Sequence, residues 1–428
     1  MIQTFTDFFK NKEIRKKIFF TLVMLFIVRL GAAIPAPGIN DTVITLADNS
    51  ILGMMNLLGG GAIEQMSIFS LGVGPYINAS IIIQLLSMDV IPYLTDLKNN
   101  GKKGQQQMDR ITRYLGVVLG FVQGYFIVQM LSNQYGIVDN PGVMSYLYIA
   151  TIFTAGTMFL LWIGDQITTK GIGNGVSMII FTGIVASMPT SFRVVYQTLL
   201  GTGFTGAGLI KFIAYIVMFI AIIVLVVAMQ KAERRIPIQY STGTQTRNRA
   251  KGDLNYLPLK INSASVIPVI FSSALIQAPQ IITSWVNQDA YKWLQDFFDF
   301  SKPYVLVIYG ALIILFTFFY TNLTIDPEKI ANDDLAKHGT YIPGIRPGNE
   351  TKEYISKVLN RITVLGAILL TFIAVLPYVT SMIFNLPQGA AVGGTGIIIV
   401  VGVAMEAIKT LQGQMTQKQY KSSSFVKK

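Results

Sequence analysis

Cysteine is absent from all 428 residues, and His338 is the only histidine. The first absence removes disulfide scaffolding and thiolate-held iron–sulfur centres, and the two together remove histidine or thiolate zinc sites. A GxxxxGK[ST] phosphate loop is missing as well. The segment "NNGKKGQQQ" at 99–107 lacks its spacing, so the chain holds no recognisable nucleotide engine. Charge is also scarce: Asp, Glu, Lys and Arg make up 13% of the chain, against about a quarter in an ordinary soluble domain. That deficit is concentrated in windows with no charged residue at all: 66–88, 114–138, 140–164, 171–192, 212–230, 261–288, 303–325 and 362–405.

What fills these windows is apolar, with mean hydropathy +0.51 over the whole chain. A bilayer core needs about 20 apolar residues as helix, and backbone polar groups inside it must be satisfied internally. The last window accommodates two helices, divided at "LPQGA". Adding 18–36, interrupted only by Arg29, predicts ten spans. They lie near 18–36, 72–92, 114–134, 147–163, 172–189, 210–230, 262–286, 303–322, 362–384 and 391–410. A soluble fold is set aside. No cleavable signal peptide is expected, because the first apolar stretch runs into "PAPGI" without a small-residue cleavage site.

With a cytoplasmic N-terminus, all but five of the 34 Lys and Arg residues fall on the cytoplasmic side, as insertion favours. The exceptions are Arg29, Arg193, Lys211, Lys292 and Lys302. An even number of spans then makes both termini cytoplasmic. Two cytoplasmic loops are longer than a hairpin needs. Loop 231–260 carries seven basic against two acidic residues, with a strand expected at "RRIPIQYS". Loop 322–361 balances six against six and contains "YIPGIRPG". Such loops either set topology or present binding groups on a rigid scaffold.

Ionisable residues near the membrane zone are few, and Asp89, Asp165 and Glu406 sit near cytoplasmic helix ends, where helix-end electrostatics or a mechanistic role in coupling would account for them. Catalysis, metal and cofactor are therefore not expected. Physical chemistry alone leaves transporter, channel and passive scaffold open.

One stretch is unusual. In "LGGGAIEQMSIFSLGVGPYINASIIIQLL", which starts at Leu58, a short half-polar helix is expected directly before a spanning one, with Gly72, Gly74 and Pro75 at the join. A movable element and a fixed re-entrant loop both fit that pattern.

The stretch joins "GTMFLLWIGDQITTKGIGNGVSMIIFTGIVA", "RRIPIQYSTG", "INSASVIPVIF", "YIPGIRPG" and "GGTGIIIVVGVAMEAIKTLQ" in closely resembling the bacterial SecY family, central subunit of the protein-conducting channel. The motifs keep their order through essentially the whole chain. The resemblance implies an all-α polytopic membrane protein with ten transmembrane helices in two inverted, pseudosymmetric five-helix halves. These are 1–190 with spans 1–5, and 191–428 with spans 6–10, around an hourglass pore that opens laterally between spans two and seven. Residues 57–70 become a plug, in which Gly59, Gly60 and Gly61 relax the leading turn. Ile63, Met66, Ile68 and Phe69 supply apolar contact, while Glu64 faces a wet vestibule.

The matching pore-ring positions are Val73, Ile77, Ile180, Ile184, Ile270 and Ile399, with Val73 one methylene short of the usual isoleucine. Pairs 73/77 and 180/184 are spaced to share a face where helical. Arg346 matches a residue coupled to the SecA ATPase, and Arg247, Arg249 and Lys251 form a more diffuse attracting surface. Further implied partners are SecE, SecG, the ribosome, signal peptides and unfolded preproteins, membrane lipids and a SecDF association, all at the bacterial inner or plasma membrane. Two other classes remain to be weighed. A secondary transporter needs a polar midplane site, whereas the matched residues are aliphatic. A docking scaffold leaves the pore motifs unused.

Overall fold

The computed structural model describes residues 11–40, 56, 59–88, 90–201, 206–240, 256–264, 266–286, 297–298, 302–337, 339–384, 386 and 394–425. Helix α1 (Lys12–Ala32) starts at Asn11, whose side-chain oxygen accepts from the Glu13 amide at 3.2 Å. Helix α2 (Gly74–Leu86) has Pro75 in its first turn and ends at Ser87, whose hydroxyl donates to the Gln84 carbonyl at 2.8 Å. A separate helix, α3 (Pro92–Asn99), then begins on a proline, which has no amide to continue an earlier helix.

The helix expected over 72–92 has narrower bounds, Gly74–Leu86: 13 residues, about 20 Å of rise, with α3 as a separate helix beyond it.

The chain continues through α4 (Gly101–Tyr135), α5 (Val143–Lys170), α6 (Gly175–Leu200) and α7 (Gly206–Lys231). Strands β1 (Glu233–Pro237), β2 (Gln239–Tyr240) and β3 (Tyr256–Lys260) follow, then α8 (Ile267–Val286) and α9 (Pro303–Thr324). A short helical run, Pro327–Lys329, passes into a π-helical turn, Ile330–Ala336, before β4 (Thr340–Tyr341), α10 (Asn349–Phe384) and α11 (Gly394–Phe425). Among the described residues seven helices are long and apolar enough to cross a membrane: α4, α5, α6, α7, α9, α10 and α11. Helix α2 and the Ile267–Ile276 part of α8 are apolar but shorter. The architecture is that of an all-α polytopic membrane protein.

Sequential neighbours pack on one another. Helix α4 lies against α2 and α5, and α5 against α1 and α6. On the other side α9 lies against α8 and α10, and α10 against α7 and α11. Helix α6 meets α7 and α11, while α4 touches α8. Away from the first of these meetings, Ile81 and Leu85 of α2 join Ala264, Ile267, Phe271, Phe316, Phe319 and Tyr320 in one apolar cluster. The Tyr320 hydroxyl donates to the Gln84 side-chain oxygen across this seam, and the Gln84 amide donates to Ser80 at 3.3 Å. Both polar ends of Gln84 are therefore satisfied within an apolar surface, as burial requires.

The expected strand is present as β1 and β2. Strand β1 pairs antiparallel with β3 from Glu233↔Lys260 to Pro237↔Tyr256, and β2 pairs with β4. The two loops share one core, with Ile236, Leu259, Leu335, Ile342 and Ile355 buried together. Loop 322–361 is shorter than expected because α10 already begins at Asn349. Arg235 donates to Glu233 at 2.8 Å and lies 4.6 Å from the Tyr256 ring centre; the Glu233 bond raises its pKa.

Candidate functional site

Residues 60–73 form successive turns rather than the short helix expected there. The reason is local and tertiary. Gly60 and Gly61 take φ of +71° and +86°, and Met66 is at +43°, conformations a right-handed helix excludes. Asn56 gathers the leading turn, its side-chain oxygen accepting from the Ile63 and Glu64 amides at 3.0 and 3.1 Å. The Ser70 hydroxyl closes the far end on the Ala62 and Ser67 carbonyls at 3.0 and 2.6 Å. Backbone pairing then ties the segment to the chain leaving α1. The Ala36 amide donates to the Met66 carbonyl at 2.9 Å, and the Ile68 amide to the Ile34 carbonyl at 3.1 Å.

Of the plug residues named from sequence, Ile63, Met66 and Phe69 are buried, with Ile68 and Glu64 intermediate. Ile63 and Met66 enter a core with Ile127, Leu131, Ile149 and Phe153 of α4 and α5. Two glycines on neighbouring helices leave room for the segment. A methyl at Gly31 of α1 would lie 2.7 Å from Phe69 Cζ, and one at Gly156 of α5 would lie 3.0 Å from the Ile68 carbonyl carbon. Leu57 falls outside the described residues.

Helix α6 is aimed by "GIGNG". Gly173 turns the chain at φ +70°, and Gly175 has no space for a methyl beside Gly164 of α5. Asn174 caps the helix by accepting from the Val176 and Ser177 amides at 3.0 and 3.3 Å.

From this start α6 presents Ile180 and Ile184 one turn apart. Ile184 and Ile399 are buried together with Val403, and Ile180 and Ile270 pack on them. Val73 is buried with Phe69 and Ala62 of the turn segment, with Ile77 and Ile180 against that group. Ile180 therefore joins both clusters, and all six named aliphatic residues belong to the pair. Val73 itself caps α2 rather than lying within it, but the Ile77 amide still donates to its carbonyl at 3.1 Å.

Arg346 stands in a built turn. Gly344 and Gly348 take φ of +80° and +101°, the Ile345 amide donates to the Ile342 carbonyl, and the Thr351 hydroxyl donates to the Arg346 carbonyl at 2.8 Å. Its side chain is 87% exposed and 3.9 Å from Glu350, so solvent leaves it available to a partner. Arg247, Arg249, Lys251, Asp89 and His338 lie outside the described residues. Asp165 pairs with Arg113 at 2.9 Å, both nearly half exposed, in keeping with an electrostatic helix-end role.

Sequence reading missed Asn56, Arg29 and the receiving glycines Gly31 and Gly156. Arg29 was the one charge inside the first apolar stretch, and that isolation was the available signal.

The SecY family profile matches residues 67–408. The chain belongs to the SecY family. Protein translocase subunit SecY of Staphylococcus epidermidis is 43% identical over 429 residues, covering 98% of this chain and 99% of the relative. SecY of Bacillus licheniformis is 43% identical over 431 residues, with the same coverage of each. A solved protein-conducting channel superposes with TM-score 0.63 at 17% identity, over 94% of this chain and 92% of that one. Sec61 from the canine ribosome–channel complex of the endoplasmic reticulum gives 0.62 at 18%, with equal coverage. This SecY-family chain has the fold of a protein-conducting channel.

Proposed function

We propose that the chain is the pore-forming subunit of a plasma-membrane translocase. It passes signal-bearing, unfolded polypeptides across the bilayer and releases hydrophobic segments sideways into lipid. The observation that carries this reading is apolar continuity: Phe69 and Ala62 meet Val73, Ile77 and Ile180, and Ile180 meets Ile184, Ile270 and Ile399. A collar of aliphatic side chains excludes water when closed. It also yields around an extended peptide without holding it by polar contacts.

In this reading 1–190 and 191–428 are two five-helix halves of a ten-span channel, with α1, α2 and α8 counted as spans and both termini cytoplasmic. Residues 57–70 are the plug. Opening parts the seam where α2 meets α8 and α9, so the Tyr320–Gln84 bond must break before a signal helix can leave toward lipid. A partner that binds the open form better shifts the population toward it.

SecE and SecG complete the channel, and SecA or a translating ribosome supplies the drive, with SecDF associating at the membrane. Arg346 and the basic residues Arg247, Arg249 and Lys251 serve those cytoplasmic partners. The exposed turn around Arg346 supports its part. The test is protease protection in proteoliposomes containing the chain with SecE and SecG, supplied with SecA, ATP and a signal-bearing preprotein. Protected preprotein that requires ATP supports the reading. Saturable small-solute flux in place of protected preprotein would overturn it.

A further inference from the structure

Arg29 lies on α1 in an otherwise uncharged apolar stretch, half-buried, and its Nη1 donates to the Gly60 carbonyl at 2.8 Å. Gly60 is itself pressed against α6. A methyl placed on it would lie 2.9 Å from Gly183 Cα, 3.0 Å from the Gly183 carbonyl oxygen and 2.5 Å from Arg29 Nη1. Gly183 occupies the helical turn between Ile180 and Ile184. One guanidinium thus holds the first turn of the 57–70 segment on the very turn of α6 that carries two of the apolar residues.

We propose that Arg29 is the positioning residue that latches the plug shut, by clamping the Gly60 turn onto α6 at the level of the ring. The proposal rests on the plug reading above. A planar fork with several donors on a long stem can reach a backbone carbonyl that carries no side chain of its own. The acceptor being backbone, no plug side chain is consumed by the latch. The bond is charge-assisted and part-buried, which makes it stronger than an exposed neutral one. It leaves the apolar collar chemically untouched, so Arg29 sets how often the plug leaves and not what passes.

The experiment uses the reconstituted channel with its partner subunits, in the cysteine-free background this sequence already provides. Ser67, fully buried in the segment, becomes the reporter as Ser67→Cys. Modification by a membrane-impermeant maleimide is then compared for wild type, Arg29→Met and Arg29→Lys, beside closed-state ion conductance. Loss of a charge-assisted hydrogen bond predicts about tenfold or more faster labelling and a matching rise in leak for Arg29→Met. Arg29→Lys should fall between, since one ammonium replaces the fork. Equal labelling of all three would overturn the latch. So would fast labelling in Arg29→Lys equal to that in Arg29→Met. A variant deleting 59–70 separates the two ideas: if deletion leaves conductance unchanged the sealing reading fails, while cysteine labelling still decides whether Arg29 holds the segment.

Discussion

Substitution Gly156→Ala tests the seating of the turn segment most sharply. The new methyl would stand 3.0 Å from the Ile68 carbonyl carbon, closer still to its oxygen, and 3.2 Å from Phe69 Cδ1. Ordinary van der Waals contact begins near 3.4 Å, so backbone must move, because a carbonyl has no rotamer to change. The segment cannot slide freely, being tied at 2.9 and 3.1 Å to residues 34–36 on its other side. Overpacking of this kind costs about 1–3 kcal/mol, which corresponds to a roughly 5- to 150-fold larger displaced population. Alanine also suits helix α5 better than glycine, by about 0.8–1 kcal/mol, so helix destabilisation is not the expected cause of any defect. Closed-state conductance of reconstituted Gly156→Ala channels should rise accordingly. A double-mutant cycle with deletion of 59–70 isolates the contact, since the methyl has nothing to strike once the segment is gone. Unchanged conductance at normal channel abundance would refute the seating geometry. An equal added leak in the deleted background would assign the effect to α5 packing instead.

Replacing Ile399 or Ile270 with Asn places an amide in the aliphatic cluster around Ile184, where it lacks a partner at a cost of about 1–3 kcal/mol. Both variants should show raised leak by electrophysiology and freer passage of weak signal sequences in import assays. Arg346→Lys and Arg346→Glu should both lower SecA-driven import at matched abundance, glutamate more, with wild-type thermal unfolding, because the side chain is 87% exposed. Ile355→Ala should destabilise by about 2–5 kcal/mol. Hydrogen exchange should then rise in β1, β3 and β4 together, since Ile355 is buried in the core those loops share. Asp165→Asn should cost about 1 kcal/mol or less by chemical denaturation, its partner being solvent-exposed.

The spanning helices were legible because a bilayer leaves so strong a mark: charge-free windows of sufficient length coincide with α4, α5, α7, α9 and α10. The Arg346 turn was legible too, since glycine and proline at fixed places dictate backbone directly. Helix α2 was drawn too long because its stop is made by Ser87 and Pro92, inside a run that only Asp89 interrupts. The turns of 60–73 escaped for a different reason. Their conformation depends on Asn56, on pairing with 34–36 and on glycines of α1 and α5 that become receptive only once the helices are packed. Periodicity reports which face of an element is apolar; it does not report which distant glycine will accept a carbonyl. The aliphatic residues were found by motif resemblance, as one isoleucine among many has no local signature.

The pairing of β2 with β4 makes a yoke of the two loops that precede α8 and α10. Strand β1 follows α7 after one residue, β3 leads into α8, and β4 lies just ahead of α10. With Ile236, Leu259, Ile342 and Ile355 clenched in one core, a tug on the Arg346 turn is divided among three helices at once. A motor gripping there needs no separate hold on each helix. Its stroke would arrive at α7, α8 and α10 as a single shove, tilting them in concert against the seam that α2 closes.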